Sequence, residues 1–211
     1  MKTGGKVQQL RPALLIGCLA CGAIAPVAQA VDLVPFGGYR FGGIIGTQNL
    51  GALGPTSVSL DSAVSYGGIV DIPFGQSRAI EVYYSHQPTS LSTESHAAPP
   101  IHDVSMDVLH LGVAETLPSA DEHLSWLLVG TLGATELSGG GSSATRFSIG
   151  LGGAFVWMAT EHVGLRGDLR GLFTFGGTGG GSIYCGGGCA VSMSGTLIAQ
   201  GEVSLGLVAR F

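Results

Sequence analysis

Charge is the scarcest commodity in this chain. Only 11% of its 211 residues are charged, against about 25% in an ordinary soluble domain. Lysine stops at Lys6, and every later base is an arginine. No basic cluster is left to neutralise a run of phosphates, which excludes nucleic acid as a partner. Long apolar runs are missing too. The only helix-like run, Ala13 to Val27, is short and sits near the start, so a mean hydropathy of +0.43 does not come from membrane helices. Cysteine is limited to four residues.

What is present is glycine, 37 residues of it, and alternation. In Thr196 to Phe211, Leu197, Ala199, Gly201, Val203, Leu205, Leu207, Ala209 and Phe211 form one small or apolar series, with Gln200, Glu202, Ser204 and Arg210 in the other. Period two is the signature of a strand, whose successive side chains point to opposite faces. Such a strand is long enough to cross a bilayer when tilted. Lipid cannot satisfy an open sheet edge, so a strand with one lipid-like and one polar face belongs in a closed barrel.

The first thirty residues read as a secretory signal. Lys2, Lys6 and Arg11 precede the apolar run, and Ala28-Gln29-Ala30 forms a small-residue cleavage site that places the mature start at Val31. The rival reading is a lipoprotein box at Leu15-Ile16-Gly17-Cys18, which leaves a very short apolar core. Cleavage after Ala30 removes three of nine bases, so six arginines face fourteen acids, a net charge of −8. Residues 31–211 then form one barrel domain.

Eight strands are predicted in that domain: Val31 to Ile45, Ser59 to Phe74, Arg78 to Gln87, Ser105 to Leu117, Leu124 to Glu136, Phe147 to Trp157, Val163 to Phe175, and Thr196 to Phe211. The connections alternate long and short, as external loops and periplasmic turns do in bacterial outer-membrane barrels. The expected fold is an all-β, eight-stranded antiparallel up-and-down transmembrane barrel with both termini in the periplasm and outer-membrane lipid as its surroundings. A soluble barrel of the lipocalin kind would turn the large aromatics inward and Arg40, Arg166, Asp168, Arg170 and Glu202 to water. The signal and the terminal Phe211 weigh against it.

Val31 to Gly43, Leu109-His-Leu-Gly112 and Gly164 to Arg170 resemble strands of the outer-membrane β-barrel domain family, the small OmpA/OmpX-like barrels often labelled porin-family proteins. The resemblance covers essentially all of residues 31–211. It implies an integral outer-membrane protein without a resident cofactor, and makes Phe211 the signal read by the barrel-assembly machinery. The periplasmic domain that follows the barrel of full-length OmpA has no counterpart here, so no cell-wall tether is expected.

The chemistry-bearing residues fall mainly in the lumen. The strand register turns Arg40, Arg166, Arg170 and Arg210 inward together with Asp71, Glu81, Asp168 and Glu202. Asp71 and Glu81 lie opposite each other across the turn near Gln76, and like charges so placed destabilise a sheet unless a cation intervenes. Arg40 is one candidate to span them, and Glu202 is expected between Arg40 and Arg170. An eight-stranded barrel has an interior just wide enough for side chains, which favours a structural salt-bridged filling over a proton or ion path. The remaining candidates are weaker. His96 and His102 share a loop with Glu94 and Asp103 but match no strong ligand spacing, so no metal is expected. His123-Leu-Ser125 resembles an element of lipid A deacylases, with Trp126 where that element has Asn, and at the wrong end of the barrel. Cys185 and Cys189, separated by three glycines, are expected to form a loop disulfide in an oxidising compartment. The expected role is non-enzymatic, with loops meeting surface ligands; a narrow porin-like channel or small-solute transporter is the alternative, and a lipid-modifying barrel enzyme a distant third.

Overall fold

The computed structural model describes residues 30–49, 55–93, 101–139, 142–176, 182–185, 189–192 and 197–211. Almost all of them are strand. In chain order these are β1 (Asp32–Gly42), β2 (Ile44–Asn49), β3 (Pro55–Leu60), β4 (Ala63–Phe74), β5 (Arg78–Thr93), β6 (Ile101–Leu117), β7 (Leu124–Gly139), β8 (Ser142–Met158), β9 (Val163–Phe175), β10 (Ser182–Cys185), β11 (Cys189–Ser192) and β12 (Leu197–Arg210). Eight of them, β1, β4, β5, β6, β7, β8, β9 and β12, form a ring. Each pairs antiparallel with its sequence neighbour, and β12 closes on β1. Beyond the strand ends, the backbones of Val31 and Phe211 exchange two hydrogen bonds of 3.1 Å.

The ring dimensions follow from the register. Hydrogen-bonded neighbours run from Trp126 through Phe155, Gly167, Leu205, Gly37, Tyr66, His86 and Asp107, and return to the starting strand at Glu136. The offset is 136 − 126, or ten residues. For eight strands spaced about 4.8 Å apart with a rise of about 3.3 Å per residue, that offset tilts the strands about 40° and sets a backbone radius of roughly 8 Å. Arginines on one wall therefore reach carboxylates on the opposite wall.

Sidedness is inverted relative to a soluble protein. Val64, Leu109, Leu128, Leu151, Leu169, Leu205 and Leu207 are exposed, whereas Arg40, Glu81 and Arg166 are fully buried. Charge on the outward face is confined to the ends of the wall. On β6 it is Glu115 near the end that carries the termini and Asp107 near the loop end, with Leu109, Leu111 and Val113 between them. Eight residues at that tilt span roughly 20 Å, close to the ~25 Å apolar band of a membrane barrel.

Strand extends further than the apolar alternation predicts. Pro88 to Thr93, expected in a loop, continues β5, and the expected loops 46–57 and 176–195 contain β2 with β3 and β10 with β11. Hairpin pairing does not stop where the apolar band stops. Above the apolar band an outward residue no longer has to be apolar, so the sequence signal fades while the backbone ladder continues. Gly42 and Gly43, with φ of 83° and 109°, end the pairing of β1 with β12 and hand the chain to β2, a bend that only glycine makes without strain.

Candidate functional site in the lumen

The lumen is layered. Toward the terminal end Val34, Phe36, Ile69, Val156 and Val208 pack together, with Leu127 and Met158 against them. Charge begins at the same end, with Asp71 nearer the terminal turn than Ile69 on β4 and Arg166 the register neighbour of Val156, and extends toward the loops. Beyond the charge come neutral polar groups, and Leu60, Val104, Met106, Leu137 and Ile198 are buried nearer the loop end.

The charged layer is a belt of two ionic clusters. In the first, Arg166 donates from Nη1 to Asp71, from Nη2 to Glu81 Oε2 at 2.7 Å, and from Nε to Asp168 Oδ2 at 3.0 Å. Arg170 donates from Nη1 to Glu81 Oε1 and from Nη2 to Asp168 Oδ1 at 2.6 Å. β5 and β9 lie four places apart in either direction round the ring, so the arginine–Glu81 bonds cross the full diameter. In the second cluster Arg40 donates from Nε and Nη2 to Glu202 Oε2 at 2.9 and 2.7 Å, and from Nη2 to Ser85 Oγ at 2.6 Å. Tyr83 joins the two. Its hydroxyl donates to Glu202 Oε1, and its ring lies 4.5 Å beneath the Arg170 guanidinium carbon, a distance at which a cation is held by the ring face. Phe36 stacks on that ring at 5.6 Å, tying the belt to the apolar layer.

Three expectations are corrected by these contacts. Arg40 does not span Asp71 and Glu81; Arg166 does, from across the lumen. Glu202 has Arg40 and Arg170 as register neighbours but bonds Arg40 alone of the two, because Arg170 is turned toward the far wall. Arg210 is on the inward series but outside the belt. It forms a separate pair with Asp32, Nε to Oδ1 and Nη2 to Oδ2 both at 2.7 Å, at the terminal rim with its side chain 36% exposed. On the inward series of β12, Val208, Gly206 and Ser204 separate it from Glu202.

Tyr83, Ser85, Asp32 and His110 were not singled out from the sequence. The signal was available for two of them, since Tyr83 and Ser85 alternate in step with Glu81 on β5. His110 is buried, with Nδ1 3.0 Å from Thr131 Oγ1 and Nε2 2.7 Å from Ser148 Oγ. Thr135 donates to the same Ser148 oxygen at 2.8 Å, and Thr174 to Thr135 at 3.2 Å. Both imidazole nitrogens therefore have partners, as a buried polar ring requires.

The minor candidates are dispersed. His123 is exposed in the turn before β7, while Ser125 faces the terminal end of the lumen, so the pair forms no triad. Cys185 stands directly opposite Cys189 in the backbone register, and their side chains lie outside the described residues. So do Glu94 and His96, and the side chains of His102 and Asp103. Among the described residues no group of three His, Cys, Asp or Glu is placed to hold a metal ion. Ala30 and Val31 precede β1 without regular structure, and residues 1–29 of the expected signal lie outside the described residues.

No protein-family model matches this chain, and no curated protein matches it either. Solved structures do. The outer membrane protein OprG from Pseudomonas aeruginosa has a TM-score of 0.58 at 11% identity, over 86% of this chain and 96% of that one. Outer membrane protein AlkL, solved in lipid bilayers, has a TM-score of 0.50 at 13% identity, over 100% of this chain and 97% of that one. At such identities the likeness concerns architecture. This chain has the fold of the small eight-stranded outer-membrane β-barrels.

Proposed function

We propose that the protein is a non-enzymatic integral protein of the bacterial outer membrane whose filled barrel is a rigid support for surface-exposed loops. One observation carries the reading: the belt of Arg166, Arg170, Arg40 and their carboxylates occupies the lumen from wall to wall. A conducting pore needs hydrated space along its axis, and here bidentate ion pairs and a stacked Phe36–Tyr83 pair take that space. The apolar outer band supports insertion in a bilayer. On this reading the termini and short turns face the periplasm, residues 1–30 leave as a signal, and the loop carrying Cys185 and Cys189 is closed by a disulfide at the surface. Phe211, 74% exposed at the end of the closing strand, is the residue read by the assembly machinery.

Planar-bilayer recording on the purified, refolded barrel tests the role. No unitary conductance is expected; steady single-channel steps carried by the unmodified protein would replace this reading with the narrow-channel one. Deleting Phe211 should lower the yield of heat-modifiable barrel in the outer membrane. An unchanged yield would remove Phe211 from the assembly signal.

A further inference from the structure

The two clusters of the belt differ in their charge balance. Arg40 and Glu202 set one guanidinium against one carboxylate. In the other cluster Arg166 and Arg170 set two guanidiniums against three carboxylates, Asp71, Glu81 and Asp168. Arg210 does not make up the difference, because Asp32 already neutralises it. Three belt arginines thus face four belt acids, and with every group ionised one negative charge stays uncompensated inside the barrel. Burying such a charge is very costly.

The surplus falls on one atom. Three carboxylates carry six oxygens, and five of them accept from a guanidinium: both of Glu81, both of Asp168, and Oδ2 of Asp71. Asp71 Oδ1 is buried and has no donor among the described residues, and Asp71 as a whole is only 6% exposed. Its surroundings add negative charge. Asp71 sits in register between Asp32 on β1 and Glu81 on β5. From across the lumen β9 faces it with Arg166, Asp168 and Arg170, and both of these arginines are already shared with Glu81 and Asp168.

We propose that the Arg166 cluster binds one proton on Asp71 Oδ1, and that this proton keeps the belt neutral. A metal ion does not suit the position, because it takes several oxygens and the other five are committed to guanidiniums. The carboxylic acid keeps the contact the fold uses, since its Oδ2 still accepts from Arg166 Nη1. A hydroxyl without a partner costs far less than an unpaired charge. His110, buried in the same lumen, does not supply the missing charge. Thr174 donates to Thr135 and Thr135 to Ser148, which directs the Ser148 hydroxyl proton to His110 Nε2. That nitrogen accepts, so the ring is neutral. Folding therefore takes up a proton that an exposed aspartate in the unfolded chain does not hold.

Infrared spectroscopy of the refolded barrel in heavy water reads the proton directly. At about pH 6, roughly two units above the ordinary carboxyl range, exposed acids are ionised, so a carbonyl stretch from a protonated carboxyl belongs to a buried one. The wild type should show one such band, Asp71→Asn none, and His110→Gln the same band as the wild type. Urea unfolding at that pH locates the proton. Asp71→Asn should keep the wild-type midpoint, whereas Glu81→Gln and Asp168→Asn, which remove charges held by two arginines, should lower it. The wild type releases the proton on unfolding. Its unfolding constant should therefore rise about tenfold per pH unit relative to that of Asp71→Asn, until the folded cluster also gives the proton up. No band in the wild type, or an unchanged band in Asp71→Asn, overturns the proposal. A midpoint lowered by Asp71→Asn but kept by Glu81→Gln moves the proton to Glu81 and overturns its assignment to Asp71. A difference between wild type and Asp71→Asn that appears only with sodium or calcium present assigns the missing charge to a metal ion and overturns the proton.

Discussion

Arg166 and Arg210 present the same guanidinium to the same kind of partner on the same inward side of the barrel, and their surroundings separate them. Arg166 is fully buried and shared among Asp71, Glu81 and Asp168. Arg210 holds Asp32 alone at the rim with its side chain 36% exposed. Its two bonds are as short as those in the belt. Contact length therefore does not measure what a pair contributes. Water does: at the rim it replaces a lost partner and screens the charge, while in the belt a lost partner leaves desolvated charge unopposed.

Removing Arg166 should break the comparison most sharply. Arg166→Met leaves Asp71 without its arginine and Glu81 and Asp168 with Arg170 only. Urea unfolding in detergent micelles or vesicles should show a loss of roughly 3–5 kcal/mol. A loss under about 1 kcal/mol, the level of an exposed pair, would mean that the belt is as wet as the rim. The second cluster is smaller, and a double-mutant cycle on Arg40→Met and Glu202→Gln reads its coupling directly. Each single change strands a buried partner, so the double variant should lose less than the two singles together. Strict additivity would disprove the pairing.

Tyr83 tests whether the two clusters act as one. Tyr83→Phe keeps the ring under Arg170 and the stack on Phe36 but removes the hydroxyl donated to Glu202. A hydrogen bond to a charged group contributes roughly 1.5–3 kcal/mol, so an intermediate loss is expected. If Arg170→Met and Tyr83→Phe prove independent, the clusters are merely adjacent. The smallest effect belongs to Arg210→Ala, expected within about 1 kcal/mol and shrinking further in 1 M salt, where the screening length falls to about 3 Å. An Arg210→Ala loss as large as that of Arg166→Met would remove the distinction between belt and rim.

Period-two alternation in the sequence determined the eight wall strands and their faces, though not the strands β2, β3, β10 and β11 beyond the wall. An apolar outer wall and a narrow polar lumen impose opposite chemistries on successive residues, so the pattern survives without any contact being known. Leu109 and His110, or Tyr39 and Arg40, announce their sides by type alone. The sequence also marked the inward acids and bases, because between its ends an apolar outer face leaves charge no other place. Tertiary closure alone decided who pairs with whom. An offset of ten residues round eight strands sets the height of each residue on its wall, and a radius of roughly 8 Å lets Arg166 and Arg170 bond Glu81 across the barrel rather than beside them. Reasoning from adjacent strands gave Arg40 that task and placed Arg210 in the belt, since nothing local records the diameter or the height of each residue on its wall.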